Sequence, residues 1–240
     1  MNCTLYIDES GDFESQKGQW VLSGVLFFES YDNCEKTLNT RLKDLPSKLS
    51  VKSIKNFHLT EFRKKFGHNI AINMAEKTIN ELNSLPFDYH CLVTINNTKT
   101  SLSNKEKTYR LMLSDLLALC ETVIPENYAI NNLDLVVATR TIDGKLQTSI
   151  SNIDREIINS LPVALEVDLA TKGMVDLIGK HINIKMDYAN NSWGLVYADF
   201  LANINYHNKR NLEKKLLNNL TILGKYSLFE SFGGFEARRA

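Results

Sequence analysis

The sequence predicts an α/β fold, a mixed sheet flanked by helices. Two observations predict it. Near the start, the apolar runs CTLYI and QWVLSGVLFF are separated by a short polar link, the mark of an antiparallel hairpin. Downstream, strand-type runs alternate with segments whose apolar residues recur at helical spacing, the signature of helices layered on a sheet with parallel neighbours.

Taken in order, Cys3 to Ile7 is the first strand and Gln19 to Phe28 the second, with Gly18 in the connection. Tyr31 to Leu45 spaces Cys34, Leu38, Leu42 and Leu45 along one helical face, and Ser47 to Gly67, containing NFHLTEF, reads as an insertion. Ile70 to Leu85 is helical through Ile72, Ala75, Ile79 and Leu82, and Pro86 stops it. FDYHCLVTI, Phe87 to Ile95, is a strand. Ser103 to Val123 is a helix that Ser103 can cap with Glu106 as its capping-box partner, and Leu111, Leu113, Leu116, Leu117 and Cys120 give it an apolar face. Leu133 to Ala138 is a buried-type strand, Ser149 to Leu161 a helix ended by Pro162, Ile182 to Met186 a strand, and Ser192 to Asn208 the last helix. With the helices of an insertion at about 30–86 set aside, three strands precede a helix and two strand and helix pairs follow. That is the ribonuclease H-like order, and the expectation is one such domain over 1–240.

Composition narrows the classes. The 240 residues are 43% hydrophobic and 23% charged, an ordinary globular balance. Lys plus Arg and Asp plus Glu both total 28, so no net charge pulls the chain toward nucleic acid or an anionic membrane, and any basic surface must be local. Only 4 prolines and 11 glycines occur, with no low-complexity linker, which favours one continuous domain. Cys3, Cys34, Cys91 and Cys120 lack paired spacing, so reduced, buried thiols are expected in place of disulfides or zinc. No basic-then-apolar leader opens the chain and no stretch stays apolar for the ~18 residues a membrane helix needs, so the expectation is a cytoplasmic protein with no membrane partner.

The candidate chemistry sits at strand ends. In TLYIDESGDF the apolar run stops at Asp8, Glu9 and Asp12 around Gly11. Asp, Ser and Gly are turn residues, so a polar turn competes with a metal site. Ser10 and Gly11 would let the backbone bend close to a ligand. Asp187 repeats the pattern at the exit of a later strand, and Asp199 lies inside a helix among Leu195, Val196, Phe200, Leu201 and Ile204. A carboxylate on an apolar face must be paired, metal-bound or turned to the rim. In a ribonuclease H-like order the first and last strands lie close and the last helix crosses the sheet. Asp8, Asp187 and Asp199 can then converge on a hard cation, Mg2+ or Mn2+, which prefers oxygen ligands. Two such ions about 4 Å apart would activate water on a phosphodiester.

Glu9 belongs on the opposite face of the strand from Asp8, although it can still join through the turn, and Asp12 is expected in solvent. His58 and Glu61, three apart in NFHLTEF, would share a helical face, with surface exposure as the plainer expectation. Glu106 and Asp115 are secondary candidates on one helix, and Asp143 lies in an Asp-Gly turn signal. Asn191 or Ser192 can cap the last helix, where amides near Asp187 would also suit a phosphate. Trp193 and Tyr197 read as packing residues. The basic clusters Arg63, Lys64, Lys65, then Lys105, Lys107, Arg110, and Lys209, Arg210, Lys214, Lys215 read as solvated faces, of which the last can track a nucleic-acid backbone.

YIDESGDF, WVLSGVLFF and GLVYADFLAN together resemble the family called domain of unknown function 3800, over roughly Thr4 to Tyr206. Its hallmarks are an Asp-Glu-Ser-Gly after the first strand and a late Ala-Asp before apolar residues. The family is similar to ribonuclease H-like nucleases. The resemblance therefore implies Mg2+- or Mn2+-dependent cleavage of DNA or RNA, in phage defence or among mobile elements. It matches Asp8 and Glu9 to the first-strand acids, Asp199 to the Ala-Asp acid and Asp187 to the acid leading into that helix. His58 and Glu61 look like the histidine element of the middle region. Members often carry an acid at the end of the fourth strand, where this chain reads LVVATRT, so Asp143, Glu61 or nothing fills that position.

The expected function is a metal-dependent nuclease in which Asp8, Asp187 and Asp199 hold metal, Glu9 or Glu61 assists, and His58 transfers a proton or orients substrate. The alternative is an inactive binding or regulatory module of the same fold, and a third class is a hydrolase of a small phosphorylated molecule. A protein partner or a homo-oligomer stays open.

Overall fold

The computed structural model describes residues 1–11, 19–53, 57–96, 105–124, 130–138, 181–188, 191–207 and 211–231. Within these, strands β1 (Asn2–Gly11), β2 (Trp20–Phe27), β3 (Tyr89–Asn96), β4 (Asn132–Ala138), β5 (His181–Asp187) and β6 (Tyr226–Ser231) form one sheet in the order β5-β4-β1-β2-β3-β6. β1 and β2 are antiparallel, as are β2 and β3, whereas β4 joins β1, β5 joins β4 and β6 joins β3 in parallel. The mixed sheet flanked by helices is therefore present. The helix expected at Ser149–Leu161 and its Pro162 lie outside the described residues.

Helices cover both faces. On one lies α5 (Lys105–Val123), whose Tyr109, Leu113, Leu116 and Leu117 pack with Leu5, Ile7, Leu22 and Val137. On the other lies α6 (Trp193–Tyr206), every residue of which from Trp193 to Asn205 is buried. A helix apolar nearly all round belongs in the interior, and α6 is enclosed by the sheet on one side and by helices on the other. Those helices are α1 (Tyr31–Arg41), the short α2 (Leu45–Lys48), α3 (Leu59–Phe66) and α4 (His68–Asn80), in the connection between β2 and β3. Leu38, Phe57, Leu59, Phe62, Ile72 and Ile79 of this connection share a core with Tyr6 of β1 and Phe200 of α6. Phe57 meets Trp193 edge to face at 4.9 Å and Phe62 meets Phe200 at 5.9 Å, so aromatic packing seats α3 on α6.

Three element boundaries differ from expectation. β1 does not stop at Ile7: Asp8, Glu9, Ser10 and Gly11 stay in the ladder, opposite Ser23, Leu22, Val21 and Trp20. Composition suggests a polar turn there, but these residues pair with β2 instead, and the Glu9 amide donates to Asp8 Oδ1. The helix expected to reach Leu45 ends at Arg41 before α2, and the 70–85 helix starts at His68, ends at Asn80 and passes into a 3-10 turn, Glu81–Ser84. Beyond α6 the chain continues into α7 (Asn211–Ile222) and β6, neither of which was expected. Buried Asn205 of α6 accepts from the Tyr226 hydroxyl at 2.6 Å and so ties this extension to the core.

α6 approaches β1 closely because Gly194 faces Tyr6: a Cβ there would lie 2.3 Å from the tyrosine ring. Ser192 caps the helix, its hydroxyl accepting from the Gly194 amide at 3.2 Å. Glu35 of α1 accepts from the Ser192 hydroxyl at 2.6 Å and from Tyr6 at 2.7 Å. The start of α6 is thus fixed to β1 and α1 together. All four cysteines are buried and unbridged, as expected.

Candidate active site

Strand alternation decides which acids can meet. Tyr6 and Val136 belong to the core on the α6 side, whereas Leu5, Ile7 and Val137 belong to the α5 side. Asp8, two residues on from Tyr6, therefore stands on the α6 face, and Glu9 on the α5 face. Ser23, directly opposite Asp8, donates to the Ala198 carbonyl at 2.7 Å, holding α6 over this row of the sheet. The next residue of α6 is Asp199.

Asp8 and Asp199 are both almost fully buried, at 9% and 6% exposure, though they come from opposite ends of the chain. His58, the residue that opens α3, brings its Nδ1 to 3.2 Å from Asp199 Oδ2 while half of its ring stays exposed. The Leu59 amide also donates to Asp199 Oδ2 at 3.2 Å. No side chain of its own segment caps α3, so Asp199 supplies that acceptor from a neighbouring helix, where the helix dipole favours a negative charge. Asp8 Oδ1 accepts from the Glu9 amide at 2.7 Å.

Burial, then the Asp199 carboxylate, then Glu9 push the Asp8 carboxyl well above the usual carboxylate range, with the Glu9 amide and His58 pulling weakly the other way. His58 is raised to about 9 by its hydrogen bond to Asp199 and by that charge, against the effect of burial, with Asp8 and Glu61 adding. The Asp8 carboxyl is thus held toward its neutral form beside the His58 and Asp199 pair, and a cation at this place would favour its ionised form.

Asp187 occupies the same level of the sheet. Ile7 pairs with Val137 and Val137 with Met186, so one residue further along lie Asp8, Ala138 and Asp187 in a row across three strands. That places Asp187 two strand spacings, about 9.6 Å, from Asp8 at the Cα atoms. Its Oδ1 accepts from the Tyr188 amide at 2.7 Å and from Asn191 at 2.8 Å. Among the described residues no three His, Cys, Asp or Glu side chains stand close enough together to hold one ion. The structure joins His58 to Asp199, places Asp8 near enough for both to act on its carboxyl, and sets Asp187 at the same level of the sheet. β4 ends at Ala138, and residues 139–141 of LVVATRT lie outside the described residues.

Other candidates lie elsewhere. Glu61 is exposed and bonded to Lys64 at 2.8 Å, which lowers its carboxyl. Asp115 and Glu106 fall on α5, the helix of the opposite face. Asp12 and Asp143 lie outside the described residues. Trp193 and Tyr197 are buried packing residues, as expected. The basic cluster on α3 is corrected: Lys64 and Lys65 are exposed, but Arg63 turns inward to Glu213 at 3.0 Å, its side chain only 14% exposed. Glu213 had not been singled out, yet Glu213, Leu216, Leu217 and Leu220 follow helical spacing and put the acid on the apolar face.

No family model matches the chain, and no curated protein matches it. Among solved structures, a chain of the PCNA:RNase HII complex from Archaeoglobus fulgidus is similar with a TM-score of 0.43 and 10% identity, covering 98% of this chain and 97% of that one. Ribonuclease H2 from Pyrococcus horikoshii OT3 is similar with a TM-score of 0.41 and 11% identity, covering 94% of this chain and 81% of that one. Among the described residues no helix is long and apolar enough to cross a membrane.

Proposed function

We propose that this protein is a ribonuclease H-like, metal-dependent nuclease whose centre is built on Asp8 and Asp199. The observation that carries the reading is the burial of these two acids near enough that Asp199 raises the Asp8 carboxyl, with a half-exposed histidine on Asp199. Holding two like charges together out of water is unfavourable unless a cation compensates them. Their oxygens are the hard donors that Mg2+ or Mn2+ prefers. The strand order supports the same architecture, with β1 central, an antiparallel β2 and β3 on one side and parallel β4 and β5 on the other.

Asp8 and Asp199 would hold the ion, with Asp187 the third acid of the row, and the bound ion would supply polarisation of a phosphodiester and an activated water. Asp199 also orients His58 through Nδ1, and with half of its side chain exposed the ring would give a proton to a leaving oxygen. Exposed Lys64 and Lys65 follow His58 on α3 and can meet a nucleic-acid backbone. Glu9 and Glu61 stand away from this centre and would act on it only at a distance.

The test is cleavage of single- and double-stranded DNA and RNA with Mn2+. Asp8→Asn and Asp199→Asn should each reduce metal-stimulated cleavage to background, and cleavage undiminished in both would end this reading. A second reading, a binding or regulatory module, is favoured by one observation: Asp199 already serves a structural purpose as the acceptor for the Leu59 amide.

A further inference from the structure

About one helical turn beyond Asp199, α6 meets α3 a second time. Arg63 donates through Nη1 to Asn203 Oδ1 and through Nη2 to Glu213 Oε1 at 3.0 Å. Asn203 Nδ2 donates to the Thr60 hydroxyl at 3.0 Å. His68 Nε2 lies 3.3 Å from Glu213 Oε2. Glu213 is fully buried and Asn203 is 5% exposed. One carboxylate of α7 thus receives the Arg63 guanidinium and the His68 ring from either side of Gly67, the residue at φ 80 where α3 turns into α4.

We propose that Glu213 is a positioning residue for the His58 and Asp199 pair, acting through Arg63 to set the register of α3 on α6. In part this rests on the reading of Asp8 and Asp199 as the active centre. Buried ion pairs are a poor source of stability, because apolar residues of similar volume do as well or better, and their best-attested use is to select one register. The seam shows that division of labour. Phe57 and Phe62 pack on Trp193 and Phe200, an attraction that tolerates sliding. The guanidinium is a planar fork with fixed donor directions, and here one fork reaches α6 and α7 together. A slip of α3 along α6 that aromatic contacts could absorb would break both of these bonds. The same slip would carry the Leu59 amide and His58 away from Asp199, since they stand on the same short helix.

The discriminating variant is the double replacement Arg63→Met with Glu213→Leu, alongside Glu213→Gln. The double variant should melt at or above the wild-type temperature, since apolar volume replaces the ion pair. In both variants the Leu59 amide should exchange with solvent about tenfold faster relative to the amides inside α6, because a local loss of register opens that bond without global unfolding. Wild-type protection of Leu59 in the folded double variant would overturn the proposal, and so would failure of that variant to fold, because the cluster would then serve stability alone. Cleavage by the double variant should fall through kcat with KM little changed. If the wild type cleaves nothing, the nuclease reading fails, whereas the exchange result still decides the positioning role.

Discussion

Two turns of the same helix treat charge in opposite ways. At Asn203, α6 faces a cluster in which buried Glu213 meets the Arg63 guanidinium at 3.0 Å, with the His68 ring 3.3 Å from its other oxygen. At Asp199, one turn earlier, a half-exposed histidine pairs with one buried carboxylate while a second buried carboxyl, Asp8, stands near both. The first arrangement is closed. The second is partly open and holds a carboxyl whose ionisation is opposed by burial and by a neighbouring carboxylate, the kind of perturbed group that marks a candidate site. The contrast teaches that burial of acids alone does not mark a site in this protein. What marks it is a carboxyl set against a like neighbour.

That contrast can be broken from either side. The largest effect should come from Glu213→Ala, which leaves Arg63 facing an uncompensated interior; denaturant unfolding should show a loss of about 3–5 kcal/mol. Asp199→Ala removes the acceptor that holds both His58 and the first amide of α3, and the same measurement should show a loss of about 2 kcal/mol. Asp8→Asn should run the other way. In metal-free protein it relieves both burial of a charge and its proximity to Asp199, so unfolding should show a gain of about 1 kcal/mol, stability that the functional residue gives up. A gain from Glu213→Ala, or a loss from Asp8→Asn as large as that expected for Asp199→Ala, would erase the distinction between the two turns.

The smallest effect lies away from both. His90 of β3, bonded to Ser227 of β6 at 3.0 Å, is pulled down to about 4, first by burial and then by Lys225. Below about 6.5 the unfolded chain takes up a proton there that the native state refuses, so stability should fall as the pH drops from 6.5 toward 4. His90→Gln should flatten that stretch of a stability-against-pH curve without altering the neutral value much.

Much of the sheet and its helices can be read from the sequence, because hydrophobic periodicity reports directly on which face is buried. Asp199 is legible for the same reason, since an acid among Leu195, Val196, Phe200 and Leu201 stands out, whereas Asp8 is legible as an acid at the exit of an apolar run. Their partner His58 is visible only as a residue in an isolated motif, since its meeting with Asp199 depends on how α3 docks. Arg63 illustrates the limit. Beside Lys64 and Lys65 it looks like part of a solvated run, and only the seat of α3 between α6 and α7 turns it inward. Glu213 carries the periodic signal, but beside Lys214 and Lys215, which read as part of a solvated basic face, the acid on the inner face of α7 is easily missed. The extension of β1 through Gly11 was hidden because local composition speaks for a turn, whereas pairing with β2 is a long-range fact.

The central claim is that Asp8 and Asp199 form a centre for a divalent cation. It is tested most directly by the melting temperature of wild type and Asp8→Asn across a Mn2+ titration, since an ion bound only by the native state raises Tm by mass action. The account predicts a saturable rise for wild type and none for Asp8→Asn, whose metal-free Tm starts higher. Equal rises in the two proteins, or no rise in the wild type, would contradict it.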